Sequence, residues 1–499
     1  MHDPRRRERR GAGLAAAASP QRRLRGSGQL QPRRADGGRR HGHRLRFVRA
    51  GAQQRRAARA ARGPRAPARP RVRLVRPELS DRGVRRKGSG LTVSWRLLGS
   101  RPRVPGRPAA PNTAPPRCTG ARVESPVERP VPAGSTFGVE EEFHLVDPET
   151  YRLTRSPALA EAVLRHESGR HLHAEITTTQ LESATDVCRS LSELRAELVT
   201  TRAEAAGAAA RAGVRILAAS THPFDSWHDQ DITPAPRYEA MVDRWAGLAV
   251  QQDIVGCHVH VGVPDLETAV AVLDRSRPYL PVLLAMTGSS PFHDGVDTGH
   301  ASYRTMWWSR WPTTGPPEYL GSADRFREVV DGLVASGVIA DSSHLYWDLR
   351  PSSHLPTVEF RLADVCTEVD DVVLHAALVR SLVRVLAARA ERGEPCPEPR
   401  PELLRAARWR AARHGLEGHL FDALTCELVP ARVAVRRLLA EIEDDLRDHD
   451  EWSIVVELVE RLFVRGTSAT RQRRTWQGTG DWRQVAARIV REGTALESG

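Results

Sequence analysis

Glu140, Glu141 and Glu142 stand in the run Gly138-Val-Glu-Glu-Glu-Phe143. On a strand, alternate side chains share a face, so Glu140 and Glu142 point together, about 6.6–7 Å apart along the chain, while Glu141 points away. Two carboxylates on a buried face are costly unless a cation neutralises them. Magnesium, a hard cation that prefers carboxylate oxygens, suits that need. A solvent-facing acidic strand would read the same way. A second run, His173-Ala-Glu-Ile-Thr-Thr-Thr-Gln-Leu-Glu182, brackets a threonine-rich segment with Glu175 and Glu182. At that spacing the two cannot share a face of one regular strand, so a bulge or bend is expected between them.

A third run, Gly256-Cys-His-Val-His-Val-Gly262, puts His258 and His260 on one face of an otherwise apolar strand. A single histidine there reads as a satisfied core residue, whereas a pair reads better as a contact to metal or phosphate. With carboxylates rather than cysteines as partners, magnesium or manganese is favoured over zinc. A fourth run, Thr357-Val-Glu-Phe-Arg-Leu-Ala-Asp364, sets Glu359 and Arg361 on one strand face. They read either as a structural ion pair or as a metal ligand and a phosphate clamp. Arg350, in Trp347-Asp-Leu-Arg-Pro351, and Arg304, in Ala301-Ser-Tyr-Arg304, would extend the positive wall, although isolated arginines also serve as caps and ion-pair partners. As a set, these residues are the inventory for holding divalent ions on a polyphosphate and stabilising phosphoryl transfer. No G-x-x-x-x-G-K-[ST] loop, G-x-S-x-G elbow or Cys/His pairing offers another chemistry.

The elements that must carry these groups are read from hydrophobic period and end signals. Strands are expected over 137–146, 171–180, 214–219, 256–263, 345–350 and 356–362. Helices are expected over 157–166, 190–212, 265–276 and 324–335. From residue 368 the chain reads as mostly helical, with an amphipathic stretch over 372–390. The strands and helices interleave without regular alternation, so the fold class is α+β, with a mainly antiparallel sheet and a helical C-terminal third.

Composition divides the chain. Residues 1–135 hold 35 Lys+Arg against 7 Asp+Glu, and the remainder holds 40 against 54. The formal charge of +14 is therefore the property of one end. Residues 1–133, rich in Arg, Ala, Gly and Pro, have too little apolar periodicity to offset their ordering entropy. They are expected to be a disordered extension or sequence upstream of the true start, with residues 134–499 as the catalytic domain. Nucleic acid is not expected as a partner except through this basic tail, which lacks interleaved aromatic residues to stack bases. The six cysteines show no C-x-x-C spacing, and a reducing cytoplasm is the expected location. No apolar run is long enough to span a bilayer, so no membrane partner is expected. Homo-oligomerisation is left open.

The segment from about Ser135 to Arg473 resembles the bacterial carboxylate–amine ligases of the glutamate–cysteine ligase type 2 family. The resemblance rests on Phe137-Gly-Val-Glu-Glu-Glu-Phe-His-Leu-Val-Asp-Pro, Gln180-Leu-Glu, Thr221-His-Pro-Phe, Cys257-His-Val-His-Val-Gly and Ser289-Ser-Pro-Phe. It continues through Gly299-His-Ala-Ser-Tyr-Arg, Trp311-Pro-Thr-Thr-Gly-Pro-Pro, Tyr346-Trp-Asp-Leu-Arg-Pro-Ser, Thr357-Val-Glu-Phe-Arg and Gly466-Thr-Ser-Ala-Thr-Arg-Gln-Arg. It implies a fold similar to the catalytic domain of glutamine synthetase, a curved antiparallel sheet with helices packed outside. It implies that Glu142, Glu175 and Glu182 hold one metal on the side of the carboxylate substrate, and that Glu140, His258 and Glu359 hold a second on the side of ATP. Arg361 would face the transferred phosphate, Arg304 and Arg350 would meet glutamate or its acyl phosphate, and His260 would lie near the ATP phosphates. The implied cofactors are ATP and Mg²⁺ or Mn²⁺. The implied reaction joins L-glutamate to L-cysteine, giving γ-glutamylcysteine, ADP and phosphate, as in glutathione biosynthesis. A related ligase using another amine and a guanidino-kinase-like phosphotransferase are the alternatives.

Overall fold

The computed structural model describes residues 132–495, and the expectations for residues 1–131 lie outside them. Among the described residues eleven strands run in chain order: β1 (Phe137–Val146), β2 (Leu172–Ala174), β3 (Gln180–Ala184), β4 (Arg215–Leu217), β5 (Gly256–Gly262), β6 (Phe292–His293), β7 (Val296–Asp297), β8 (Leu349–Pro351), β9 (Thr357–Asp364), β10 (His419–Asp422) and β11 (Glu427–Pro430). Seven form one sheet in the order β2-β3-β1-β5-β9-β8, with β4 paired to the C-terminal end of β1. Every pairing in it is antiparallel. The expected α+β class with a mainly antiparallel sheet and outer helices is the fold observed.

The sheet has one apolar face. Phe137 and Val139 of β1, Val259 and Val261 of β5, and Val358, Phe360 and Leu362 of β9 pack into a single core with the helices behind them. Phe360 is fully buried, and burial of a phenylalanine contributes about 1.5–3 kcal/mol. Helix Leu191–Arg211 begins where the sequence signals it, with Ser190 and Glu193 forming a reciprocal capping box. Helix Val369–Glu391 departs from its expected amphipathic character, since its residues are buried almost all round over the first four turns. It is sandwiched between the sheet and the outer helices Ala431–Asp448 and Trp452–Arg465, so no face of it meets water there.

Three further sequence expectations change. The strand expected over 345–350 is only Leu349–Pro351. Residues 171–180 are not one strand. The chain folds back as the β2–β3 hairpin, pairing Leu172 with Ser183 and His173 with Glu182, and 175–179 form its turn. The threonines that suggested strand instead satisfy the turn: Thr177 Oγ1 lies 2.9 Å from Thr179 Oγ1 and donates to Gln180 Oε1 at 2.8 Å. The backbone of Ile176 and Thr178 is held by Thr233 and Asp231. The helical C-terminal third also contains the β10–β11 hairpin, which the apolar period did not signal. Among the described residues, no helix is long and apolar enough to cross a membrane.

Candidate active site

The face of the sheet opposite the helices carries the candidate site residues, and strand register assembles them. Glu140 lies opposite His258, Glu142 opposite Glu182, His260 opposite Glu359, and Glu359 opposite Arg350. These side chains floor a cleft of about 850 Å³, whose lining also includes Glu175 and Arg361. Tyr238, Trp308, Trp311 and Tyr346 wall it on the side of Ile176.

Two triads of potential ligands converge. Ligand atoms of Glu142, Glu175 and Glu182 lie within 4.8 Å of one another, and so do those of Glu140, His260 and Glu359. The first triad is the set the resemblance implies. In the second, His260 takes the place expected of His258. His258 lies between the triads, its Nδ1 3.1 Å from Glu140 Oε2 and its Nε2 3.6 Å from Glu142 Oε1. The cause is a register irregularity between Cys257 and Val259 in the pairing of β5 with β9, which brings Glu359 opposite His260.

Electrostatics distinguish the two triads. Burial pushes the carboxyls of Glu142 and Glu182 upward, and for Glu182 the neighbouring charges of Glu140 and Glu175 push in the same direction. In the other triad burial is outweighed. Hydrogen bonds from His258 and His260 hold Glu140 well below the usual carboxylate range, and Arg361 and Arg350 hold Glu359 below it. Burial opposes charge on His260 too, but Glu140 and Glu359 raise its pKa above the ordinary value. His258 moves the opposite way, through burial and the Arg361 charge. Three acids crowd together here, two of them driven toward the neutral form because burial outweighs the nearby Arg304 and Arg361 charges at Glu142, and they are the donor set a hard divalent cation fits.

The arginines divide by role. Arg361 NH1 donates to Glu359, while its Nε is buried with no partner in the protein. Arg350 is spent on structure: Nε donates to Glu359 Oε2 at 2.7 Å, and NH1 donates to the carbonyls of Ser343 and Leu345. Arg304 does not line the cleft. It is buried against Gly256, where a Cβ would fall 2.4 Å from its NH2. It donates to the carbonyls of Arg361 and Leu362, so glycine at 256 lets this guanidinium lie beside Glu142. The loops that deliver Arg304 meet at Asp364, the last residue of β9, whose carboxylate accepts from Ser289 N, Ser290 Oγ and Ser302 Oγ at 2.7–2.8 Å.

Sequence reasoning missed the aromatic wall. Tyr238 donates its hydroxyl to Ala174 O, while Tyr346 OH and Trp311 Nε1 are buried without a partner in the protein. The density of aromatics over 307–311 was the available signal.

A family model described as glutamate–cysteine ligase family 2 matches residues 136–491. A Frankia alni protein, named provisionally as glutamate–cysteine ligase 2-2, is 44% identical over 377 residues, covering 73% of this chain and 98% of that one. A Rhodopirellula baltica protein, named in the same provisional way as glutamate–cysteine ligase 2, is 40% identical over 362 residues, covering 72% and 96%. The fold is similar to that of a crystallised glutamate–cysteine ligase from Francisella tularensis, solved with AMP, at a TM-score of 0.55 and 12% identity over 73% of this chain and 90% of that one. A bifunctional glutathione synthetase from Pasteurella multocida aligns at a TM-score of 0.54 and 15% identity over 72% and 52%. The chain belongs to glutamate–cysteine ligase family 2 and is, with that family, an ATP-dependent ligase that joins a carboxylate to an amine.

Proposed function

We propose that the protein joins the γ-carboxylate of L-glutamate to the amine of L-cysteine, forming γ-glutamylcysteine, ADP and phosphate. The observation that carries this reading is the pair of ligand triads on one sheet face, with the Arg361 guanidinium bonded to Glu359 of one of them. The provisional names of the relatives supply the two substrates.

A free carboxylate resists amine attack because oxide would have to leave. In the proposed route a γ-carboxylate oxygen attacks the γ-phosphorus of ATP and ADP departs. The amine then attacks the acyl carbon, phosphate departs carrying that carboxylate oxygen, and the amine loses a proton. Glu142, Glu175 and Glu182 would hold one Mg²⁺ or Mn²⁺, and Glu140, His260 and Glu359 a second, with His258 between them. Bound there, the ions would neutralise phosphate charge. Arg361 stabilises charge on the moving phosphoryl group with a fixed, water-poor guanidinium. Arg350 orients Glu359, and Arg304 places positive charge beneath Glu142. The catalytic domain on this reading is 134–499: Gly134 N donates to Gly262 O, and its carbonyl accepts from Arg380. A chain beginning at Val131 is expected to keep full activity.

The test supplies ATP, Mg²⁺ and glutamate with a panel of amino acids, and identifies products by mass. Glutamate labelled with ¹⁸O in its side-chain carboxylate should pass one label to phosphate. AMP as product, or unlabelled phosphate, overturns the acyl-phosphate route. Turnover with another amine but not with cysteine replaces the acceptor alone. A phosphorylated guanidine as product would make the protein a phosphotransferase.

A further inference from the structure

A third ligand cluster lies away from the cleft. His171, Asp186 and Glu197 bring one ligand atom each within 4.8 Å of one another. His171 immediately precedes β2, and its carbonyl accepts from Ala184 N at the end of β3. Asp186 lies in the segment that leaves β3, and Glu197 on helix Leu191–Arg211. The cluster therefore ties the open end of the β2–β3 hairpin to the helix beside it. The turn of the same hairpin begins at Glu175, and β3 carries Glu182.

The histidine is arranged as a metal-binding histidine is. Its Nδ1 lies 2.7 Å from Glu204 Oε2, about two helical turns beyond Glu197. A carboxylate on Nδ1 fixes the tautomer and leaves the Nε2 lone pair available, the arrangement that orients metal-ligating imidazoles. Gly169, at φ +141°, makes room for that carboxylate, because a Cβ there would overlap Glu204 Oε1. Nε2 itself is buried, has no hydrogen-bond partner in the protein, and faces Asp186 Oδ1 at 3.7 Å. His171 as a whole is only 9% exposed. Asp186 keeps its other oxygen on Arg170 NH2 at 2.5 Å, and its backbone N–H donates to Glu197 Oε2 at 3.4 Å.

We infer that His171, Asp186 and Glu197 bind a divalent transition-metal ion of the zinc class, separate from the cleft ions, which clamps the hairpin carrying Glu175 and Glu182. One imidazole nitrogen with two carboxylates suits Zn²⁺, Co²⁺ or Mn²⁺ better than Mg²⁺, which prefers oxygen alone. The assignment does not depend on the identity of the ligase substrates.

The test uses the full chain, stripped with a chelator and dialysed against micromolar Zn²⁺ with millimolar Mg²⁺ present. Bound zinc per chain is counted by elemental mass spectrometry. The wild-type protein should hold one more zinc ion than His171→Gln and one more than Glu197→Gln, and Glu204→Gln should bind that ion roughly 10–100-fold more weakly. Zinc should also slow amide exchange over 172–184 in the wild type but not in Glu197→Gln. Glu197 sits at the rim of the cluster, and unchanged circular dichroism of its variant in chelator establishes that the fold is kept. Equal zinc counts and equal exchange in the wild type and Glu197→Gln overturn the site.

Discussion

The two faces of β1 solve the same problem in opposite ways. Glu141 points into the helical side and is 1% exposed, yet its charge is fully answered. Arg202, also buried, donates Nε to Glu141 Oε2 at 2.9 Å and NH2 to Oε1 at 2.6 Å, and spends its other donors on the carbonyls of Cys366, Thr367 and Gly493. The five guanidinium N–H groups are thereby accounted for. One residue to either side, Glu140 and Glu142 face the cleft. There the acids accumulate faster than the protein neutralises them, and Glu182 is driven toward its neutral form. A buried charge with a complete set of partners is architecture, whereas a group of charges left short of partners is a site held ready for a ligand.

That contrast is broken most forcefully on the helical side. Glu141→Gln leaves the Arg202 charge buried without its counterion and should cost about 3–5 kcal/mol of stability, read as a lower denaturation midpoint at unchanged denaturant slope. Glu141→Leu combined with Arg202→Leu should recover part of the loss. If Glu141→Gln is as stable as the wild type, the distinction between the two faces fails.

On the cleft side the cost should appear in rate instead. Glu140→Gln removes a carboxylate from one triad, and Arg361→Lys keeps a charge but loses the planar fork. Each should lower turnover tenfold or more, about 1.4 kcal/mol or above in the barrier, with the melting temperature retained. Steady-state rates at saturating ATP and Mg²⁺, set beside melting curves, check both halves. A variant with full activity, or one that simply unfolds, contradicts the assignment.

The linkage to pH has a definite sign. A carboxyl whose folded pKa is raised keeps its proton when folded at a pH where the unfolded chain has released it, so stability falls as pH rises above the ordinary carboxylate value. Glu142 and Glu182 are such groups. Glu140 and Glu359, shifted the other way, act in the opposite sense and only as pH falls below that value. In chelator, the melting temperature should therefore decline with rising pH above the carboxylate range. Mg²⁺ should remove much of the decline, and Glu182→Gln should flatten it without metal. Identical pH profiles with and without Mg²⁺ would contradict cation binding at this triad.

What the sequence revealed followed from local periodicity. A strand's period of two was enough to separate Glu141 from Glu140 and Glu142, to pair His258 with His260, and to set Glu359 with Arg361. It could not say which histidine joins Glu359, because both share a face and the choice depends on the register shift between β5 and β9. The Glu175 turn was hidden for a similar reason. The segment has the β-propensity of a strand, and the contacts that bend it come from residues 231–233, far along the chain. Arg202 was invisible as a partner because nothing in an alanine-rich helix marks which arginine turns inward. The helix over 369–391 was legible as a helix, but its near-complete burial depends on elements distant in the chain on both sides, from helix Leu191–Arg211 to helix Trp452–Arg465.

The smallest expected effect concerns an unanswered hydroxyl. Tyr346 is 5% exposed and lines the cleft among aromatic rings, with Trp308 at 5.0 Å and Trp311 at 5.4 Å between centroids. Burial, the dominant influence, pushes its pKa up to about 12 despite the nearby arginines, so the group remains a neutral donor throughout the working range. Its oxygen has no partner in the protein. A buried hydroxyl without a partner lowers stability, and removing it from a site of otherwise unchanged shape is near neutral or mildly stabilising. If the hydroxyl serves a bound substrate, Tyr346→Phe should leave the melting temperature unchanged or slightly raised, and should raise KM for glutamate or the amine several-fold with a smaller change in kcat. If it serves only the fold, KM should not move. A lowered melting temperature with an unchanged KM would place Tyr346 with Glu141 and Arg202, as architecture, and shift the boundary between the two kinds of buried polar group to the cleft side of the aromatic wall.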